Sequence, residues 1–317
     1  MQRSQTNTKN AGIDVGKRWL DAAVHGCIET VRHENDAAGI GVLVGWLKSQ
    51  AVQRVGLEAS GGYERQVRQA LEKAGFEVVV HQPIEVRLFA RLKRLRAKND
   101  RIDAKLIAAA TAQVDAVKAA ADPRLQDLAE RLTAYEFVTE RLAEMKGFME
   151  HVHAKDLALQ MAAQIKSLST LKASLAAELR KRIKACPDLK ARYDLLLSLP
   201  GVGSVVAVGL VVRMPELGQM QHGQAAALLG VAPYDRDSGQ FRGQRFIAGG
   251  RRRPRRLVYI AALSARRWDP TFKAAADRLL AKGKPKKLII VAVMRRLIEA
   301  ANVVLARAKP WLKTMPA

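Results

Sequence analysis

The sequence predicts three consecutive parts: an α/β N-terminal domain over 9–115, a helical coiled-coil connector over 123–186, and a mainly α C-terminal domain over 190–310. Three observations predict this. Short apolar strands alternate with helical segments up to about residue 115. From Pro123 to Ala185 the apolar residues take an alternating three-four spacing, and after Cys186-Pro187-Asp188 the chain turns helical and arginine-rich. With 317 residues and 49% apolar content, the chain has material for more than one hydrophobic core.

After a start that reads as disordered (Met1 to Thr8), Ala11–Val15, Trp19–Val24 and Cys27–Val31 read as three strands, the last following a turn at Gly26. Asn35 or Asp36 caps a helix through Val42, Leu43, Trp46 and Leu47. A strand over Arg54–Glu58 follows, then a helix over Tyr63–Ala74 with Gly75 as its C′ residue. Phe76–His81 is a fifth strand, and Pro83 opens another helical stretch. The order βββαβαβα is that of the ribonuclease-H-like fold, where one carboxylate sits on the first strand, one near the fourth, and the rest on a late helix.

Acids fall in those places. Asp14 interrupts the apolar run Ala11-Gly12-Ile13-Asp14-Val15, and Glu58 ends the strand Val55-Gly56-Leu57-Glu58 before a Gly-Gly turn. A carboxylate in a strand built for burial is costly without a partner. Asp100 and Asp103 stand three apart in a helical segment whose buried side carries Ile102, Leu106 and Ile107, so they share a face and repel. Taken alone, the pair also suits a solvated helix start. Together the four form a candidate cluster for one or two Mg²⁺, since hard cations take oxygen ligands and metal pairs serve phosphodiester chemistry.

The net charge of +24 and isoelectric point near 10.5 call for a polyanionic partner. No stretch approaches the roughly 18 uncharged apolar residues of a membrane span. Cys27 and Cys186 are far apart and lack CxxC spacing, which argues against a disulfide framework or structural zinc and for a reduced, cytoplasmic setting. His151 and His153 point to different sides of a helix and read as surface residues.

In the connector, Leu125, Leu128, Leu132, Tyr135, Leu142 and Met149 form one apolar run; Leu157, Met161, Ile165, Leu168, Leu175, Leu179 and Ile183 form a second. They suit two antiparallel helices joined near Gly147–Ala154, either packed on their own domain or pairing subunits. Next, Leu199-Pro200-Gly201-Val202-Gly203-Ser204 looks like the turn of a helix-hairpin-helix, with Gly201 and Gly203 letting backbone amides approach a phosphate. A purely structural turn fits the same residues. A dinucleotide fingerprint does not, because Val206 occupies the place of the third glycine.

No acid occurs from Ser238 to Trp268, while Arg242, Arg245, Arg251, Arg252, Arg253, Arg255 and Arg256 crowd the stretch and Arg236 precedes it. Arginine favours bidentate phosphate contacts, so these eight are candidate nucleic-acid ligands. Ser238 lies at the edge of this cationic segment beside Gly239. Serine there is an ordinary turn residue, or a nucleophile whose phosphoserine would conserve the energy of the broken bond. Helices over Leu257–Arg267, Thr271–Leu280 and Lys286–Ala306 close the chain as core elements.

Gly12-Ile13-Asp14-Val15, Glu58-Ala59-Ser60-Gly61-Gly62-Tyr63-Glu64, Asp100-Arg101-Ile102-Asp103-Ala104, Leu199-Pro200-Gly201-Val202-Gly203 and Asp237-Ser238-Gly239 through Arg251 resemble, in order, the motifs of the IS-110 family of insertion-sequence transposases. The resemblance implies a RuvC-like DEDD domain with Asp14, Glu58, Asp100 and Asp103 as its Mg²⁺-binding set, and a serine transposase domain with Ser238 as covalent nucleophile. It also implies donor and target DNA as substrates, a structured bridge RNA as guide, and dimers or tetramers with active sites shared between subunits. In a bacterial cytoplasm such a protein would be nucleoid-associated when acting. Two other functions fit the residues: a RuvC-like endonuclease that uses water, and a nucleic-acid-binding protein without catalysis.

Overall fold

In the computed structural model, which describes residues 8–94, 100–115, 122–235, 237–239 and 241–312, the N-terminal part is built on a five-stranded mixed sheet. Of residues 100–102 only the backbone is described. Strands β1 (Asn10–Val15), β2 (Trp19–Val24) and β3 (Thr30–Glu34) form an antiparallel meander. Helix α1 (Ala37–Ser49), strand β4 (Arg54–Glu58), helix α2 (Glu64–Lys73) and strand β5 (Glu77–His81) then add two strands parallel to β1, giving the order β3-β2-β1-β4-β5. Helices α3 (Pro83–Leu92) and α4 (Asp100–Thr111) complete this part.

Alternation along the strands sorts residues between two faces. Ala11, Ile13, Val15, Leu20, Ala22, Val55 and Leu57 pack with Ile40, Leu43 and Leu47 of α1 and Val67 and Leu71 of α2 in one core. The other face lies under α4. Asp36 caps α1, accepting from Gly39 N at 2.7 Å, and Gly75 turns the chain after α2 with φ +90°. The third strand starts three residues later than its sequence predicts, at Thr30 rather than Cys27. The shift puts Arg32 opposite Asp21, whose carboxylate is 3% exposed and needs a cation more than the sheet needs Ile28.

The described residues fall into two compact units, one within Met1–Ala121 and one within Asp122–Ala317. The second opens with a helical hairpin, α5 (Pro123–Met149) and α6 (Lys155–Ala185). Its base is buried: Leu128, Leu132, Leu179 and Ile183 join the main core. Its far end exposes Phe148 and Leu159. Helices α7 (Pro187–Leu197), α8 (Ser204–Arg213) and α9 (Gln224–Leu229), a ribbon of β6 (Pro233–Tyr234) and β7 (Phe246–Ile247), and helices α10 (Arg252–Trp268), α11 (Pro270–Ala281) and α12 (Lys286–Arg307) follow. Helix α8 is buried almost throughout, which its run Val205 to Val212 dictates.

Helix α10 begins five residues before the predicted Leu257. Pro254 falls in its first turn, where its missing N–H is not needed and its φ suits a helix. Four arginines of the basic stretch that precede the predicted helix start, Arg252, Arg253, Arg255 and Arg256, are therefore helical.

Candidate active site and nucleic-acid surface

The parallel pairing of β1 with β4 matches Gly12 to Gly56 and Ile13 to Leu57. One step on, Asp14 and Glu58 occupy the same rung of neighbouring strands, on the face that carries the two glycines. Both glycines are bare because α4 needs the space. A methyl group on Gly12 would collide with the Ala104 carbonyl and the Ala108 amide, and one on Gly56 with the Thr111 hydroxyl. Past the other end of α4, Arg54 Nη1 donates to Val114 O at 2.6 Å, close to where β4 begins. The helix thus runs back along the strands, and its first turn lies toward the ends that carry Asp14 and Glu58. Asp103 lies in the turn before Ala104 and is half-buried, as are Asp14 and Glu58. Each of the three has a partner in the structure. Asp100 opens α4, with its side chain outside the described residues. Among the described residues no three His, Cys, Asp or Glu side chains are close enough to hold a metal ion.

Polar groups around this face are tightly committed. Arg32 donates to both Asp21 oxygens at 2.9 and 2.8 Å, and Asp21 is the register partner of Asp14. His81, the register partner of Glu58, sits 2.9 Å from Thr111 Oγ1, whose own hydrogen goes to Ile107 O at 2.7 Å. Nε2 of His81 is therefore the donor. Burial lowers the pKa of His81 against a smaller opposing pull from Glu85, so the ring is neutral at pH 7. Glu64 wires the turn after Glu58: its Oε2 accepts from Ser60 N at 3.1 Å, Ser60 Oγ at 2.9 Å and Gly62 N at 2.8 Å. Burial works to raise the Glu64 pKa, but these donors together outweigh it and the net shift is downward.

In the second unit Ser238 is exposed near the tip of the β6–β7 connection. Its backbone makes a two-bond bridge with Phe241, both bonds 3.0 Å, around Gly239 at φ +56°. Gly243 N donates to Asp237 at 3.0 Å, and Arg245 pairs with Asp235. Many of the predicted phosphate-binding arginines have internal partners. Arg251 holds both Glu216 oxygens, at 2.8 and 2.5 Å, and Arg213 O at 2.7 Å. Arg253 joins α10 to Thr133 and Glu136 of α5, Arg256 reaches Glu140, and Arg255 ties Gly230 O to Gly249 O. Arg242 and Arg252 are exposed without such a bond among the described residues; Arg236 lies outside them. Gly201, at φ +74°, faces Ala261 and Ala265 of α10 so closely that a side chain would strike their backbone. Its surface is filled by protein, while Gly203 at the α8 N-cap is open.

Comparison with known proteins decides the family. Residues 11–152 match a family model described as "Transposase" of the DEDD IS110 type, and residues 193–277 match the "Transposase IS116/IS110/IS902 family". The chain belongs to the IS110 family of transposases. The first match takes in β1 from its second residue, β4 and α4, and the second ends within α11. Relatives agree: the pilin gene-inverting proteins of Moraxella bovis and Moraxella lacunata are each 24% identical, over 95% of this chain and 97% of theirs. The insertion element IS110 uncharacterized 43.6 kDa protein of Streptomyces coelicolor is 26% identical over 44% of this chain and 35% of its own. As an IS110-family member the chain is a DNA recombinase enzyme, and none of its described helices is long and apolar enough to cross a membrane.

Several polar residues beside the candidate site escaped sequence reasoning. Asp21 breaks an apolar strand as Asp14 does, and the signal for its role is Arg32 on the next strand. Glu64 follows the Gly-Gly turn four residues after Ser60, one more than a capping box requires, so the spacing alone did not announce the bond. His81 and Thr111 carry no sequence signal, because they meet only when α4 lies on the sheet.

Proposed function

We propose that this transposase cuts DNA by transferring a strand's phosphate to Ser238 and rejoins it by the reverse transfer, with Asp14, Glu58, Asp100 and Asp103 as its acidic set. The observation that carries the reading is the shared rung of Asp14 and Glu58 beneath α4, the helix that also bears Asp100 and Asp103. All four are hard oxygen donors, two from the ends of the neighbouring inner strands β1 and β4 and two from α4, a donor chemistry that fits Mg²⁺. These four residues would hold one or two ions, which would supply positive charge at the phosphate undergoing transfer.

In the first step Ser238 Oγ loses its proton and bonds to phosphorus as the P–O bond to the adjoining sugar breaks, releasing a hydroxyl end. In the second, a hydroxyl end of another strand attacks the same phosphorus, forming the new phosphodiester and returning the serine. The energy of one bond is kept in the other, so no nucleotide cofactor is required. The exposed Arg242 and Arg252 would contact phosphate directly, while Gly203 leaves the start of α8 open to a DNA backbone in the manner of a helix-hairpin-helix. DNA inversion, named in the Moraxella relatives, is a reaction of this cut-and-rejoin class. A structured bridge RNA as guide follows from family resemblance and agrees with the charge of +24. Pairing of subunits through the far end of α5–α6 would cover the exposed Phe148 and Leu159.

The test is a denaturing gel of labelled donor and target DNA with the transposase, Mg²⁺ and RNA transcribed from the flanking sequence, beside the Ser238→Ala protein. A protease-sensitive labelled adduct that disappears in the variant is expected. Cleavage without an adduct, equal in both proteins, would instead mean a nuclease that uses water.

A further inference from the structure

Seven cations and no acid lie between Arg278 and Ile298: Arg278, Lys282, Lys284, Lys286, Lys287, Arg295 and Arg296. This stretch runs from the end of α11 through its turn and along α12, apart from the Ser238 ribbon in sequence and from the arginines of α10. Its amphipathic helices read as core elements, and their buried faces are core: Phe272, Ala276, Ile289, Val293, Met294 and Leu297. The cations stand on the remaining faces.

Folding gathers four of them around one recess. A cavity of about 550 Å³ is lined by Arg278 and Lys282 of the α11 end, Arg295, Arg296 and Glu299 of α12, and His222 before α9. The single acid is already in use. Glu299 accepts from Ala226 N at 3.1 Å and Gly223 N at 3.3 Å, which ties the start of α9 to α12, and His222 Nδ1 lies 3.6 Å away. Arg295 and Arg296 are half-buried, yet no protein hydrogen bond or ion pair engages either among the described residues. This contrasts with α10, where Arg253, Arg255 and Arg256 are all held by protein oxygens. Removing a guanidinium from water without a partner costs free energy, and a ligand anion returns it.

We propose that this α11–α12 recess is a second nucleic-acid site, one that clamps the phosphodiester backbone of a strand away from the reacting serine. The recess takes one or two phosphates between Arg278, Lys282, Arg295 and Arg296. The exposed Lys284, Lys286 and Lys287 continue the positive track along the turn, farther than a small anion would reach. Arginine forks with lysine point charges suit backbone oxygens and carry no base reading, so the site holds position and not sequence. The inference needs a nucleic-acid partner but does not depend on the serine chemistry.

Fluorescence anisotropy on the full chain tests it, with labelled duplex DNA and labelled structured RNA titrated separately over a range of salt. The exposed pair is changed first, as Arg278→Gln/Lys282→Gln, since these positions leave the core intact; Arg295→Gln/Arg296→Gln repeats the test inside the recess. A control protein, Lys166→Gln/Lys181→Gln, removes the same charge from the exposed surface of α6. For the nucleic acid that uses the site, the slope of log affinity against log salt becomes shallower by about 2 relative to the control, with weaker binding at every salt concentration. Loss for DNA alone, RNA alone or both identifies which strand the recess holds. Affinities and slopes equal to the control for both nucleic acids, in both recess variants, would overturn the proposal, and an acidic protein would then be the partner to seek.

Discussion

The two regions that carry the proposed chemistry are built in opposite ways. Asp14 and Glu58 stand on paired parallel strands, with a core behind them and a helix in front that approaches to backbone contact. Ser238 stands on a connection whose described residues from Pro233 to Gly250 are exposed except for Gly243, secured by one small bridge, a two-residue ribbon and two exposed side-chain contacts. Carboxylates that share a site repel, so they need a frame that spends packing energy to keep them together. A nucleophile that must reach a phosphate and then release it needs freedom of approach instead. The acidic half is thus set by folding, while under the proposed mechanism the serine half would gain its final geometry from the DNA it binds.

Changes to the reacting groups should separate the regions most sharply. Asp14→Asn should reduce strand cleavage by roughly 10²- to 10³-fold or more in a single-turnover assay, and Ser238→Ala should abolish the adduct. Ser238→Ala should leave the thermal midpoint unchanged because the side chain is exposed. Gly12→Ala comes next. Its methyl group meets the backbone of α4, so the N-terminal unit should lose about 3 kcal/mol and its calorimetric midpoint should fall by about 10 °C or more. If the midpoint holds, α4 does not lie on the sheet as described.

A smaller effect divides the α10 arginines. Arg251→Gln, which breaks the bonds to Glu216 and Arg213 O, should cost about 1 kcal/mol in urea melts, since the pair is partly open to solvent. Arg252→Gln should cost nothing in stability and should weaken DNA binding. The smallest effect concerns His81. Its folded-state pKa lies below the ordinary value near 6.5, so the unfolded chain binds the proton more readily. Stability from this group is complete above pH 6.5 and declines as pH falls through the folded-state value. His81→Gln should flatten that part of the stability profile relative to the unaltered protein, measured by denaturant melts between pH 7 and 5.

Much of the frame was legible because local rules agreed with the tertiary outcome. The strands bearing Asp14 and Glu58, the cap at Asp36 and the glycine after α2 follow from alternation and turn chemistry, which act over a few residues. The third strand was misplaced because Cys27-Ile28 is as good a strand start as Thr30-Val31, until Asp21 demands Arg32 opposite it. The arginine-rich stretch was harder to read: phosphate ligand and protein staple have the same sequence signature. Whether Arg251 is one or the other depends on Glu216, 35 residues away in the chain. Gly201 presents the same ambiguity, since a glycine needed by a phosphate and one needed by α10 look alike in sequence.

The sequence by itself determined the strand and helix order, where along the chain the four acids and the serine fall, and the family. These are properties of single residues and short spacings, and they survive any rearrangement of the remainder. Only the tertiary structure decided that Asp14 and Glu58 share a rung, that Glu64 wires the turn beside them, and that His81 donates to Thr111. It also decided which cations are spent on the fold and which, around the α11–α12 recess, are left for a ligand. The reason is physical. A charge is characterised by what lies within a few ångströms of it, and in this protein those neighbours come from distant segments whose meeting is fixed by burial of the cores.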